Sequence, residues 1–369
     1  MLILLTACWD VEESERMEYI HGVGVDYKDG EVIVHLQIAN LGSLGTPDVA
    51  TEGENQVSIA TGSADTISSA VHKIYHSAQR RLYWGHDTVL ILSEAALKHN
   101  KLQESIDLMN RFPETRYRIN VYATKDDVKE LLKVSTLFQG TPILTRITDL
   151  ENTYEQSSFI EQVSMRELII QLDEPGYNGI IPTIAVNKDT WETEKEPITM
   201  IQDIGVANVR KDILLGFIVH DDIDGLRWMQ KSKRNNVAIY KDDQPASEVI
   251  IANPKQIYNI ETKNDDVTFH VTIKAQGIIN EMLQDVDQEF ILKALQKRIK
   301  EEVMHTYNQA LKQNSDIFRL SEQLYRKKLK TWKKIEEDGM IPLEKDSLVV
   351  DVDIKLVDSK IDKTAPIFE

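Results

Sequence analysis

Residues 32–38 have apolar groups at alternate positions and follow a strand signal at 19–26 across the turn Lys28-Asp29-Gly30, which reads as a β-hairpin. Residues 41–53, rich in Gly, Ser, Thr and Pro, read as a loop. Apolar groups at Ile67, Val71, Ile74, Tyr75 and Ala78 have helical spacing, predicting a helix over 61–81 with Ser63 as N-cap. The run 88–92 is a strand, and Ser93 is expected to cap a helix reaching about residue 110. A strand at 118–124, a short helix at 126–134 and a helix over 159–172 follow, the last stopped by Pro175-Gly176. Beyond Ile198 the pattern shortens to strands at 204–209, 213–219 and 226–230, with a tight turn at Lys211-Asp212 and a polar linker at 242–247.

The C-terminal third has the clearest periodicities. Val267, Phe269, Val271 and Ile273 alternate with polar residues, as do Val350, Val352, Ile354 and Leu356. Between them Ile291, Leu295, Ile299, Val303, Tyr307 and Leu311 recur every fourth residue. At about 100° per residue this stripe drifts about 40° at each step, so the helix must touch more than one neighbour. A second long helix is expected over 315–338. The sum is an α+β (mixed α/β) chain with mixed sheets flanked by helices. Three successive domains are expected, an α/β unit at 9–195, a small β-rich unit at 196–245 and an α+β unit at 246–369, behind a shortened signal remnant at 1–8.

That remnant changes the picture most. Cys8, the one cysteine in 369 residues, ends Leu5-Thr6-Ala7-Cys8 behind Met1-Leu2-Ile3-Leu4-Leu5. Small residues between an apolar stretch and a cysteine are the end of a bacterial lipoprotein signal, whose cysteine becomes the lipid-bearing N-terminus. The apolar stretch is shorter than the about 7–15 residues an export segment needs, and no basic residue precedes Cys8, so a fuller segment is expected ahead of Met1. The net charge of −17, from 60 acidic and 43 basic side chains, fits an anchor. Such a chain is repelled by nucleic acid and by anionic headgroups, so a covalent lipid is what would hold it on a membrane. With Cys8 so used, no thiol remains for disulfide, metal or nucleophilic chemistry.

The ordered set Leu5-Thr6-Ala7-Cys8-Trp9-Asp10, Gly22-Val23-Gly24-Val25-Asp26, Arg81-Leu82-Tyr83-Trp84-Gly85-His86 and Ser93-Glu94-Ala95-Ala96 resembles the Ger(x)C family, the C-subunit lipoproteins of spore germinant receptors. Gly205-Val206-Ala207, Leu214-Leu215-Gly216-Phe217, Asp224-Gly225-Leu226-Arg227-Trp228, the segment Gln313-Asn314-Ser315-Asp316-Ile317-Phe318 and Trp332-Lys333 continue it. The resemblance implies three α/β-type domains, no catalysis, no cofactor and lipid attachment at Cys8. It also implies residence on the outer face of the spore inner membrane, beside two integral-membrane receptor subunits; whether germinant is bound directly is left open.

Other chemistry is weaker. His72 and His76 stand four apart on one helix, but Lys73 occupies the place of the metalloprotease glutamate. A hydrolase would draw on His72, His76 and His86; a solute-binding lipoprotein would need two doubly wound lobes. The loop His220-Asp221-Asp222-Ile223-Asp224-Gly225 has His at the first calcium-ligand position and Lys231 at the last, so it reads as an acidic turn. Gly22 and Gly24 lack the third glycine and following helix of a dinucleotide fingerprint and point instead to a bulge or close backbone approach. Arg80-Arg81-Leu82-Tyr83-Trp84 reads as a packing corner or a partner contact. Arg326, Lys327, Lys328, Lys330, Lys333 and Lys334 share a helix with Leu324, Leu329 and Trp332 and read as a solvated face, the alternative being a face toward anionic lipid or an acidic partner loop.

Overall fold

The computed structural model describes residues 16–39, 57–134, 145–148, 151–194, 196–263 and 266–357. Cys8 and the 41–53 loop lie outside them. In chain order the elements are β1 (Met17–Lys28), β2 (Glu31–Ala39), β3 (Val57–Ala64), α1 (Ile67–Tyr75), β4 (Arg81–Tyr83), β5 (Val89–Ser93), α2 (Glu94–Lys98), α3 (Leu102–Asn110), β6 (Asn120–Thr124), α4 (Val128–Leu131), α5 (Glu151–Gln156) and α6 (Met165–Asp173). Then come β7 (Gly179–Asn187), β8 (Met200–Arg210), β9 (Ile213–Val219), α7 (Leu226–Met229), β10 (Arg234–Lys241), β11 (Gln244–Lys263), β12 (Asp266–Met282), α8 (Gln288–Lys312), α9 (Leu320–Lys327), α10 (Leu329–Ile335) and β13 (Leu348–Val357).

Among the described residues, nine strands form a mixed sheet in the order β3-β2-β1-β5-β6-β7-β8-β9, with β4 beside β1. The β1–β2 hairpin closes through Asp29 and Gly30, both at positive φ, as a two-residue turn requires. Strand β5 is buried on both faces. Leu90 and Leu92 join the core made with Ile67, Val71 and Ile106, and Val89 and Ile91 join a second core with Val128 and Leu132. That double burial is why 88–92 reads as an uninterrupted apolar run. Both expectations for the paired glycines hold. A bulge falls between Ile20 and Gly22, and a Cβ on Gly24 would lie 2.3 Å from Val128 Cγ1, so α4 needs the bare backbone there.

The second sheet, β10-β11-β12-β13, carries α8 across one face. Ile291, Leu295, Ile299, Val303 and Tyr307 are all buried. The drift of the stripe has the expected result: α8 packs on β10 and β13 and also on α7, β9 and the 3-10 turn His220–Ile223. One core runs through both sheets, because Ile180, Val206 and Ile218 of the first join Phe269 of the second, with Ile299 of α8 and Trp228 of α7.

The α+β architecture with mixed sheets is as expected, but several elements differ. Residues 196–245 form no sheet of their own. Strands β8 and β9 complete the large sheet while β10 opens the small one. Ser63 lies in β3, and Thr66 is the N-cap of α1. The helix expected over 159–172 starts at Met165, because the Ser164–Glu167 capping box fixes its beginning. Residues 226–229 are helical, since Leu226, Trp228 and Met229 bury against α8 rather than alternating. The 242–247 linker is a two-residue turn at Asp242-Asp243, both at positive φ, leading into the 20-residue β11. The helix after Ser93 breaks at Asn100, and the one expected over 315–338 is split into α9 and α10 at Lys328.

Candidate functional site

Three of the stretches that carry the resemblance, at 214–217, 224–228 and 313–318, meet where the two sheets join. Gln313 Nε2 donates to the Phe217 carbonyl at 2.8 Å, and Arg210 Nη2 donates to the Asn314 carbonyl at 2.9 Å. Asn178 Nδ2 donates to Ser315 Oγ at 3.3 Å. Asp316 accepts from the Leu320 and Ser321 amides at 3.0 and 2.6 Å, starting α9, while burial pushes its carboxyl up to about 6. Ile317 and Phe318 enter the shared core. The segment thus hooks the first sheet with three residues, begins a helix with the fourth and fills the core with the last two.

A second connection uses Gly225, Arg227 and Trp228. The Gly225 amide donates to Thr306 Oγ1 at 3.0 Å. A Cβ on Gly225 would lie 2.4 Å from the Glu302 carbonyl oxygen, so α7 approaches α8 backbone to backbone. Glu302 accepts from Arg227 Nη2 at 2.8 Å, Trp228 Nε1 at 2.7 Å and Arg298 Nε at 2.9 Å. Burial pushes its carboxyl up, but Arg227, Trp228 and Arg298 outweigh that and hold it below the usual range.

Beside this junction lies a cleft of about 450 Å³. Helix α6 and Tyr177 form one side; Met229, Tyr258 and residues 317–326 form the other. Arg326 bridges Glu174 at 2.7 Å and Glu322 at 2.8 Å. The Arg319 guanidinium lies 4.6 Å from the centre of the Tyr177 ring. Burial raises Tyr258 to about 12 and raises the Glu161 carboxyl against the pull of Arg319 and Lys231. Sequence reading missed this set. Its members come from five separated stretches, and no periodicity marks them.

The residues proposed from sequence are placed differently. Rings of His72 and His76 are 5.7 Å apart at the end of α1, whereas His86 packs against Tyr19 and Tyr83. Among the described residues no three His, Cys, Asp or Glu side chains converge as metal ligands. The 220–225 loop is an acidic turn fastened to α8, with Asp222 accepting from His305 and Gln309. The Arg80–Trp84 stretch is a packing corner: Trp84 is buried, stacks on Phe112 at 4.1 Å and donates to Tyr75 Oη at 2.8 Å. In the basic helix, Arg326 bridges glutamates, Lys327 lies over the Tyr258 ring and Lys328 donates to the Ile260 carbonyl.

Asp87, next to that corner, is 5% exposed, and neither carboxylate oxygen receives a well-formed hydrogen bond. Burial pushes it up to about 7 from 3.8, and the Thr115 hydroxyl beside it offsets only part. Between those pH values the folded chain keeps a proton that the unfolded chain has lost, so stability falls as pH rises through this window. Asp316 acts in the same direction up to about pH 6. Asp87→Asn should flatten the slope by up to one proton, about 1.4 kcal/mol per pH unit. Urea unfolding of both chains from pH 4 to 8 checks this; parallel slopes would refute it.

Residues 10–186 match the family described as "Spore germination protein N-terminal domain", and residues 204–361 match "Spore germination B3/ GerAC like, C-terminal". The chain is 24% identical over 360 residues to spore germination protein KC of Bacillus subtilis (strain 168), covering 91% of this chain and 88% of that protein. It is 20% identical over 284 residues to spore germination protein B3 of the same organism, covering 76% and 72%. The crystal structure of the GerBC protein superposes with a TM-score of 0.55 at 14% identity, over 91% of this chain and 96% of that one. At that identity the match shows the shared fold.

Proposed function

The chain belongs to the Ger(x)C family of spore germination proteins, and on that premise we propose that it is the lipid-anchored, non-catalytic subunit of a germinant receptor. Its family makes it a receptor C subunit. The finer reading is that acylation of Cys8 tethers the folded body to the outer face of the spore inner membrane, beside two integral-membrane subunits. No helix among the described residues is long and apolar enough to cross a membrane, and a chain of net charge −17 is not drawn to anionic headgroups. Two or more acyl chains give stable attachment where one is marginal.

One observation carries the non-catalytic reading: the described family stretches serve fastening and packing, those at 224–228 and 313–318 joining the two sheets. Asp316 caps a helix, Glu302 joins α7 to α8 and Trp84 fills a corner. The role this supports is scaffolding, in which the tether raises the body's concentration beside its membrane partners so that weak contacts suffice. Cys8→Ala should move the protein from the membrane to the soluble fraction of spore lysates and slow nutrient-triggered germination. Full membrane retention with normal germination would defeat the reading.

A further inference from the structure

The cleft between α6 and α9 has a charge balance that the rest of the fold does not use. Seven charged side chains line it, four glutamates and three cations. Glu167 accepts from the Ser164 amide and hydroxyl in the capping box of α6. Glu174 and Glu322 share Arg326. Glu161 faces both Lys231 and Arg319, and Arg319 also faces Glu322.

Arg319 is the distinctive member. Among the described residues its guanidinium makes no hydrogen bond; it lies over the Tyr177 ring, 4.6 Å from the centre, and faces Glu161 and Glu322. A guanidinium held over an aromatic ring without a hydrogen bond has N–H groups to offer a planar anion. The cleft is also lined by Ile180, Phe318, Met229 and Tyr258. About 450 Å³ is within the range of small-molecule sites, and the lining sets apolar side chains beside about as much polar surface. A dianion would face Glu161 and Glu322 at close range; a monoanion meets less repulsion.

We propose that this cleft binds a small organic monocarboxylate with an apolar body, its carboxylate on the Arg319 guanidinium and its body against Tyr177, Tyr258 and Phe318. The assignment does not depend on the lipid anchor or on the receptor role. Arg319 sits at φ +59°, a backbone conformation that asparagine accepts, so Arg319→Asn removes the cation without straining the start of α9.

Isothermal titration of the full chain with 3-phenylpropionate should give saturable binding that weakens at least about tenfold in Arg319→Asn. The neutral 3-phenylpropan-1-ol should bind the native chain more weakly by about the same factor. Glu161→Gln keeps the shape and removes the opposing charge, so it should tighten binding. Thermal melting of each variant establishes that the fold is intact. Equal affinity for the alcohol, undiminished binding by a folded Arg319→Asn, or weaker binding by Glu161→Gln would each overturn the proposal. So would inorganic phosphate outcompeting the probe, or a short acidic peptide binding where 3-phenylpropionate does not.

Discussion

Trp84→Ala should destabilise the protein by about 3–5 kcal/mol, the range for removing a large buried aromatic. Trp84 is 1% exposed and lies in the core of the nine-stranded sheet with Leu82, Leu102 and Met109. Its indole stacks on Phe112 with an interplanar angle of 7°. Truncation also takes away the donor that Tyr75 Oη accepts, leaving a half-buried hydroxyl poorly satisfied. Trp84→Phe should recover most of the packing and lose the hydrogen bond. Guanidinium unfolding followed by far-ultraviolet circular dichroism measures both. A Trp84→Ala chain of native stability that no longer supports germination would instead make this corner a partner contact.

Glu302→Ala should cost about 3–5 kcal/mol, because removing one member of a buried ion pair strands its partner. The side chains of Arg227 and Glu302 are 14% and 13% exposed, and Arg298 and Trp228 donate to the same carboxylate. Arg227 and Trp228 would be left with little access to water, whereas Arg298 is more exposed and keeps its bond to the Ala238 carbonyl. Glu302→Leu would test the other half of this reasoning, since it too leaves Arg227 charged and unmatched. The double change Arg227→Met with Glu302→Leu should be less harmful than either single change. Urea melts of the four chains form the cycle; additive losses would show that Arg227 and Glu302 do not act as a pair.

Much of the architecture was legible in local pattern. The β1–β2 hairpin, the β5 run, the α8 stripe and the alternating β12 and β13 all needed only apolar spacing and turn residues. Elements went wrong where caps and burial competed. Residues 159–164 have helical composition, yet Ser164 and Glu167 form a capping box that starts α6 at Met165. Residues 226–229 look like a strand by composition but bury Leu226 and Trp228 on α8. The 242–247 stretch is polar enough for a linker, and the left-handed Asp242-Asp243 pair makes it a hairpin turn.

The cleft shows the sharper limit. His72, His76 and His86 drew notice because spacing and residue type are readable in one dimension, but the structure gives them no common site. Arg319, Tyr177, Tyr258 and Glu161 drew none, since nothing local distinguishes an arginine that pairs from one that does not.

By itself the amino-acid sequence determined the family, the α+β class, the acidic balance and the hydrophobic faces, because short-range periodicity and ordered motifs survive without coordinates. Only the tertiary structure decided that residues 196–245 are divided between two sheets, that the 313–318 and 224–228 stretches serve as fasteners, and that one guanidinium is left without a hydrogen bond in a cleft. These depend on which distant segments meet, and strand pairing and burial between residues a hundred positions apart leave no local signature in the chain.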